Sequence, residues 1–533
     1  MKSLLLPLSL TALLAAVSAV AQVDVPFERL RHAGDEPENW LTYGGNYSGH
    51  RFSSLTQIAP SNVATLKPIW IYQSREAGKW ETTPLVINGT IYVTERPNVI
   101  TALDGRTGRP IWNYRRPMPN DVAGCCGPVN RGLAVLGDSL YVATFDCHLV
   151  CINANTGKER WDTLIADYKL GMSETVAPLA VHDKIIVGIS GGEFGIRGFL
   201  DAYDAKTGKQ LWRFWTIPPP GEPWNETWGK GDSWQHGGAS TWVTGTYDPD
   251  LNTLYWGTGN PGPDYDGDDR PGDNLYSCCV LALDPDTGRL KWHFQYTQHD
   301  VHDWDANQVP VLVDATIGGQ PRKLLVQANR NSFFYVLDRA TGEFITGKAF
   351  AKQTWSSGLD AHGHPILIPG NEPNADGVLV YPGLEGAVNW PSPSYSPLTG
   401  LFYVHGQEDY AQVFYKMKED YAPGRNYDGG GTRNVLGQEP YGVVKAIDPT
   451  TAEVRWEFKE QTSSNAAILT TATDLLFTGT RDGYFYALDA RTGKPLWRFQ
   501  TGGQIHGGPV TFLVGGKQYV AIAAGAGLFL FGL

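Results

Sequence analysis

Charge and cysteine are both scarce in this 533-residue chain: Asp, Glu, Lys and Arg together make up 18%, and there are six cysteines. None of the six stands in a C-x-x-C-H sequence, which excludes a covalently attached c-type haem on this chain. Basic residues are outnumbered. Lys and Arg total 43 against 55 Asp and Glu, a net charge of −12 that argues against nucleic acid or an anionic membrane as partner. A basic partner protein suits that charge better. Past residue 21 no stretch approaches the ~20 uninterrupted apolar residues that a membrane span requires, so none is expected. Linkers and low-complexity tracts are also missing, so residues 22–533 are expected to form one domain.

The first 21 residues read as a secretory signal peptide. Lys2 supplies a positive start, Leu4 to Val20 an apolar run, and Ala19-Val20-Ala21 the small residues before a cleavage point. Export would place the protein in the periplasm, where disulfides are permitted. Among the cysteines, Cys125-Cys126 and Cys278-Cys279 are adjacent pairs. An adjacent pair is rarely bridged to itself, because the closed ring strains peptide and disulfide geometry. Cys278-Cys279, in SCCVLALD, reads as strand with its side chains on opposite faces. Cys147 and Cys151, four apart, either pair with each other or are strand residues.

What the chain has in abundance is tryptophan (18) and glycine (62), which suits many short strands joined by tight turns. One pattern recurs: NVITALDGRTGRPIW (98–112), CHLVCINANTGKERW (147–161), GFLDAYDAKTGKQLW (198–212), CCVLALDPDTGRLKW (278–292), YGVVKAIDPTTAEVRW (441–456) and DGYFYALDARTGKPLW (482–497). SFFYVLDRATGEFI (332–345) lacks the tryptophan, and NVATLKPIW (62–70) keeps the last part. Alternating apolar residues make a strand, D-x-x-T-G turns the chain, and a second strand ends on Trp. One such hairpin cannot bury both faces, so it must stack on its neighbours. Eight copies predict an all-β, eight-bladed β-propeller with each tryptophan docked between blades. The longer steps, from Asp204 to Asp284 and from Asp338 to Asp448, mark insertions of the kind that build a functional face. The C-terminal YVAIAAGAGLFLFGL is expected to close the ring against the N-terminal segment.

GCCGPVNRG, SGGEFGIRG, GTGNP, HDVHDWDAN and NRNSFFYVLDR, in that order, together with the repeats, resemble the soluble pyrroloquinoline quinone (PQQ) dependent alcohol dehydrogenases of the methanol/ethanol dehydrogenase family. The resemblance covers essentially residues 25–533. It implies a closed Cys125-Cys126 ring on one face of the planar quinone and Trp242 on the other, two rigid flat walls for a flat tricycle. Arg131 is implied to pair a cofactor carboxylate. Glu81, Thr175, Gly191, Gly192, Ser240 (or Thr241) and Asn389 match positions around the cofactor's rim. Arg330 matches the arginine beside the reactive carbonyl, where a cation stabilises developing oxyanion character. Glu193 and Asn260 follow Gly-rich turns and carry hard oxygen ligands suited to Ca²⁺ or a similar cation.

Asp303 is implied to be the general base and to lie at the metal. Asp305, two residues on, adds a carboxylate typical of relatives that hold a lanthanide, since a trivalent ion gains from one more anionic oxygen. Asn465 stands where many relatives place a tryptophan against the cofactor. The implied reaction is oxidation of a primary alcohol to an aldehyde, with electrons passed to a separate c-type cytochrome; a homodimer is compatible with the family. Two alternatives remain open on the residues: a PQQ dehydrogenase of sugars or polyols, and a non-catalytic propeller scaffold sharing only the repeats.

Overall fold

The computed structural model describes residues 22–76 and 78–533, so the leader read in residues 1–21 lies outside the described residues. Each D-x-x-T-G segment folds as its side chains dictate. Asp104 Oδ1 accepts from the backbone N–H groups of Arg106 and Thr107 at 3.0 and 2.9 Å, and the Gly108 N–H donates to the Asp104 carbonyl at 2.8 Å. Asn153, Asp204, Asp284, Asp338 and Asp489 make the same pair of bonds in their own turns. A side-chain oxygen that satisfies two N–H groups just ahead of it lets the chain reverse with no donor stranded. The glycine then takes a left-handed φ, 69° at Gly108.

The strands on either side pair into antiparallel meanders. Leu85–Ile87, Thr90–Glu95, Val99–Asp104 and Pro110–Arg115 form one four-stranded sheet in chain order. Among the described residues there are eight such sheets of four strands, one of them extended by Phe52–Ser53 running parallel to Leu469–Thr471. In the first sheet the second strand is buried throughout and the third nearly so, while the fourth exposes all but Trp112 and Tyr114. One sheet draws on both ends of the chain: Lys67–Gln73 pairs with Gly527–Gly532, which continues Val510–Val514 and Lys517–Ala524. The expected pairing of the C-terminal stretch with the N-terminal segment is thus present.

The tryptophan ending one repeat lies on the turn glycine of the next. A β-carbon added at Gly157 would stand 2.6 Å from the Trp112 ring, and Trp112 Nε1 donates to the Ala154 carbonyl at 2.9 Å. Trp161 on Gly208, Trp212 on Gly288, Trp292 on Gly342 and Trp456 on Gly493 repeat the contact. The chain makes one instructive exception. The repeat at Asp338 has Thr346 where the others have tryptophan, and the turn that follows has Ala452, not glycine, at the left-handed position (φ 57°). Where no indole arrives, a β-carbon is tolerated.

Cys278 and Cys279 point into different apolar clusters, the opposite faces that alternation predicts, although Cys278 itself precedes the strand with φ 48°. Cys147 lies in a turn (φ 61°) and Cys151 in a strand; both are buried free thiols. The insertions carry few strands. Val378–Val380, Gln412–Lys416 and Gly430–Asn434 form a satellite three-stranded sheet outside the main series. No helix among the described residues is long and apolar enough to cross a membrane.

Candidate active site

A cavity of about 480 Å³ is lined by residues from nearly the whole length of the chain, from Lys79 to Arg481. Glycine-rich turns aim the first group into it. In SGGEFG, Gly191 has φ 124° and its missing β-carbon would lie 2.4 Å from the Gly171 carbonyl, so only glycine passes there. That turn presents Glu193, whose carboxyl is pushed up chiefly by burial, with Asp305 and Asp428 adding to the rise and Cys125 opposing it. In GTGNP, the Asn260 side chain donates to Asp264 Oδ1 at 2.7 Å, and a β-carbon on Gly192 would come 3.9 Å from Asn260 Oδ1. Gly192 itself is absent from the cavity wall but packs beneath Ser240 and Asn260.

The crowded HDVHDWDAN segment sorts into distinct roles. Asp300 points away from the cavity: its Oδ2 accepts from the His302 and Trp304 backbone N–H groups at 3.3 and 3.1 Å, tying the turn together. His302 bonds the Asn371 carbonyl through Nε2 and stacks on Trp304 at 4.3 Å. Asp303 and Asp305 line the cavity. Asp303 holds a left-handed φ of 57°, which the Asp300 turn sustains. Arg330 reaches both carboxylates through Nη1, 2.7 Å from Asp305 Oδ2 and 3.5 Å from Asp303 Oδ1. The other oxygen of Asp305 accepts from the Asn260 backbone N–H at 2.9 Å. Burial raises the Asp303 carboxyl well above the carboxylate range; Arg330 opposes this, and Asp264, Asp305 and Glu193 reinforce it. Burial pulls Arg330 down, but Asp303 and Asp305 outweigh that and hold it above the usual arginine range.

A second cluster forms the opposite side. The Arg131 guanidinium lies between two indoles, 4.8 Å from Trp242 and 4.6 Å from Trp390. It bonds Glu81 Oε2 at 2.9 Å and Thr175 Oγ1 at 2.6 Å, and Thr175 Oγ1 in turn meets Ser190 Oγ at 3.0 Å. Lys79 holds the other Glu81 oxygen at 3.0 Å. Ser240 lines the cavity whereas Thr241 does not: its hydroxyl donates to the Phe199 carbonyl and accepts from the Ile189 N–H. Asn389 is on the wall, its amide tied to the Glu385 carbonyl at 3.1 Å. Cys125 and Cys126 also line the cavity, both as free thiols, with Cys126 at φ 63°. Both cysteines share that wall with Glu193, Arg131 and Glu81.

The donor set suits a flat, polyanionic cofactor with a multivalent cation at one end. Arg131 Nε and Arg330 Nε are buried without a partner, a deficit that an oxygen-rich ligand would relieve. Burial first, and neighbouring carboxylates second, raise Glu193, Asp264 and Asp303, a tension that a cation among them would relieve. No three Asp, Glu, His or Cys side chains among the described residues are grouped closely enough to hold a metal ion by themselves, so a cation here would need further oxygens, such as that of Asn260 and those of a bound ligand. Several wall residues carry no sequence motif: Asp264 and Tyr265, Asn426 and Asp428 from the 417–429 insertion, and the Glu385–Arg481 pair. Asp264, Tyr265, Glu385, Asn426 and Asp428 had as advance signal only their place in the insertions between repeats, and Arg481, directly before the last repeat, had none.

Comparison with known proteins agrees with this geometry. The family described as "PQQ: Glucose/ethanol/alcohol dehydrogenase, beta-propeller domain" matches residues 40–348 and 430–520. The chain is 38% identical to the quinoprotein alcohol dehydrogenase PedH of Pseudomonas putida, covering 98% of this chain and 91% of that protein. It is 38% identical to the quinohemoprotein alcohol dehydrogenase of Comamonas testosteroni, covering 96% of this chain and 76% of the relative. Among solved structures, a europium-containing methanol dehydrogenase superposes with a TM-score of 0.90 at 32% identity, over 95% of this chain and all of the other. The Comamonas testosteroni enzyme superposes with a TM-score of 0.91 at 34% identity, over 97% and 83%. On the sequence, the β-propeller fold and the site together, this chain belongs to the family of PQQ-dependent quinoprotein alcohol dehydrogenases.

Proposed function

We propose that the protein oxidises an alcohol to the carbonyl compound with PQQ and one metal ion in this cavity, in the periplasm, and passes the electrons to a separate c-type cytochrome. The observation that supports this most is the convergence, in one cavity, of Glu193, Asn260, Asp303 and Arg330 with the Arg131–Glu81 cluster and the Cys125-Cys126 turn. The eight four-stranded sheets are read as eight blades of one ring, locked by tryptophan on glycine. Glu193, Asn260, Asp303 and Asp305 would hold the ion, and the extra carboxylate of Asp305 favours a lanthanide over Ca²⁺. Arg131, Glu81, Thr175, Ser240 and Asn389 would hold the cofactor's rim, with Trp242 on one face and the Cys125-Cys126 pair, free thiols in this structure and a closed ring only once oxidised, on the other. The bound quinone supplies a hydride-accepting carbon, and the cation a Lewis acid beside its carbonyl.

The remaining chemistry falls to side chains of this chain. Asp303 Oδ takes the substrate's hydroxyl proton as the C–H hydrogen leaves with its electron pair. Arg330, 3.5 Å from that carboxylate, favours its ionised form and so opposes the burial that raises it. The Asp300 turn fixes the direction from which Asp303 approaches.

The wall formed by Asp264, Asn426 and Asp428 is polar where a simple alkanol needs only apolar contact, and this favours a polyhydroxylated alcohol as a second reading of the substrate. The test is dye reduction by apoprotein given PQQ with no metal, with Ca²⁺ or with La³⁺, across primary alcohols, polyols and sugars. Activity with La³⁺ alone supports the metal assignment to Asp305. Activity with Ca²⁺ alone keeps the enzyme and removes the lanthanide. No turnover of any alcohol under any condition removes the enzyme reading.

A further inference from the structure

Asn465 and Arg481 stand together on a part of the cavity wall that the proposed machinery does not use. Asn465 follows Glu453–Glu460 in the loop leading to Leu469–Thr471, and Arg481 sits in the turn between Leu475–Gly479 and Tyr484–Asp489. Arg481 Nη2 donates to Asn465 Oδ1 and to Glu385 Oε2, each at 3.0 Å. Glu385 Oε2 is held in turn by Gln407 Nε2 at 3.3 Å. Two acceptors on one nitrogen fix the guanidinium plane and leave its other donors unspent: among the described residues, Nε is buried without a partner and Nη1 makes no hydrogen bond.

The setting tells what those donors face. Arg481 lines the same cavity as Lys79 and Arg131. Glu385, paired with Arg481 at 3.0 Å, lines the same cavity as Arg330. A planar indole at position 465 could pack against a ligand but could not hold an arginine by an amide oxygen. Asparagine does hold it, and the guanidinium takes up wall space beside it.

The geometry points to Arg481, set by Asn465 and Glu385, as an additional binding residue for an anionic oxygen of the quinone cofactor: a charge-assisted contact on the wall where related chains place an aromatic ring. This rests on the PQQ reading of the cavity. A charged hydrogen bond of this kind is worth ~10- to 100-fold in affinity.

The experiment is titration of metal-loaded apoprotein with PQQ, read by quenching of tryptophan fluorescence, for the native chain, Arg481→Ala, Arg481→Lys and Asn465→Ala. Thermal melts of the apoproteins confirm that each variant is folded. We expect Arg481→Ala to weaken PQQ binding ~10- to 100-fold, Asn465→Ala to weaken it less, and Arg481→Lys to recover part of the loss. An unchanged Kd in a folded Arg481→Ala protein overturns the assignment. So does a variant whose PQQ affinity is native but whose KM rises for a hydroxy acid and not for a neutral alcohol, which would make Arg481 a substrate contact. Should the native chain itself bind no PQQ, the functional reading fails before this one is reached. If Arg481→Ala does not fold, Arg481→Gln keeps the Glu385 and Asn465 partners within reach and carries the same test.

Discussion

Asp303 and Asp305 are two residues apart, carry the same functional group and touch the same arginine, yet their surroundings separate them. Asp305 is held by two donors, the Asn260 N–H and Arg330 Nη1 at 2.9 and 2.7 Å, whereas Asp303 has only the long 3.5 Å contact. The less tethered carboxylate, on a strained φ and open to the cavity, is the one free to exchange a proton. Asp303→Asn keeps shape and removes basicity, so kcat should fall by ~10²- to 10⁴-fold while PQQ still quenches the tryptophan fluorescence. Turnover within tenfold of native would take the base away from Asp303.

His293 offers a test of the structure independent of the site. It lies edge-on to Tyr276 at 4.8 Å and near Trp224 at 5.9 Å, with no charged group contributing, and burial alone pulls its imidazole down to about 4. Folding keeps it neutral where the unfolded chain would protonate it. Its contribution is therefore intact above the unfolded value of about 6.5 and is lost as pH falls toward 4. His293→Phe should remove this dependence. Comparing urea unfolding at about pH 7.5 and about pH 4.5, the native chain should lose ~2–3 kcal/mol more than the variant. An equal loss in both would mean that the imidazole is charged in the folded protein.

What could be read in advance at this scale was what sits in a motif. Cys125, Arg131, Glu193, Asn260, Asp303 and Arg330 belong to short strings whose glycines, prolines and acids are locally distinctive, and all six line the cavity. Asp264, Glu385 and Arg481 do not announce themselves. Each is one charged residue among many, and an isolated charge usually means a solvated surface. Only the circular arrangement of the sheets brings Glu385 within 3.0 Å of a residue 96 positions away.

At the scale of one element, the repeat was legible because its turn and its tryptophan solve linked problems. The turn needs a left-handed residue, and the docking indole needs that residue to have no β-carbon. Gly157 meets both demands, with Trp112 at 2.6 Å from where a β-carbon would be. Ala452 meets the first alone, because Thr346 sends no ring. The two positions should therefore respond differently. Gly157→Ala adds both conformational strain and a clash with aromatic carbon, and should cost ~2–4 kcal/mol. Ala452→Gly relieves the left-handed φ but gives up a methyl buried in an apolar cluster and frees the unfolded chain, so it should change stability by less than ~1 kcal/mol. Denaturant unfolding of both variants decides it. A Gly157→Ala protein as stable as native would show that the indole is not seated on the turn. The insertions, by contrast, were legible only as insertions: the partner of Gln412–Lys416 is Val378–Val380, and no periodicity announces that pairing.

At the scale of the whole molecule, the sheet built from both chain ends decides whether the site exists. The cavity takes residues from Lys79 to Arg481, so its shape depends on the first and last sheets staying in place. Gly527–Gly532 joins the two ends of the chain within one sheet: it pairs with Lys67–Gln73 on one side and Lys517–Ala524 on the other. Leu528, Phe529, Leu530 and Phe531 within it are all buried. At ~1.5–3 kcal/mol for each buried side chain the strand contributes ~6–12 kcal/mol, as much as the net stability of a typical domain. The ends of other sheets could fray without such loss, but this strand has no substitute, and its removal leaves two open edges. A chain lacking residues 527–533 should therefore melt far below the native one or fail to fold, and should not quench on addition of PQQ. A synthetic peptide of residues 526–533 should restore part of both properties by re-forming the pairing with the two edges. A truncated chain that melts and binds PQQ as the native one does would show that the site is shaped without this closure, and that the sheets hold their places by tryptophan docking alone.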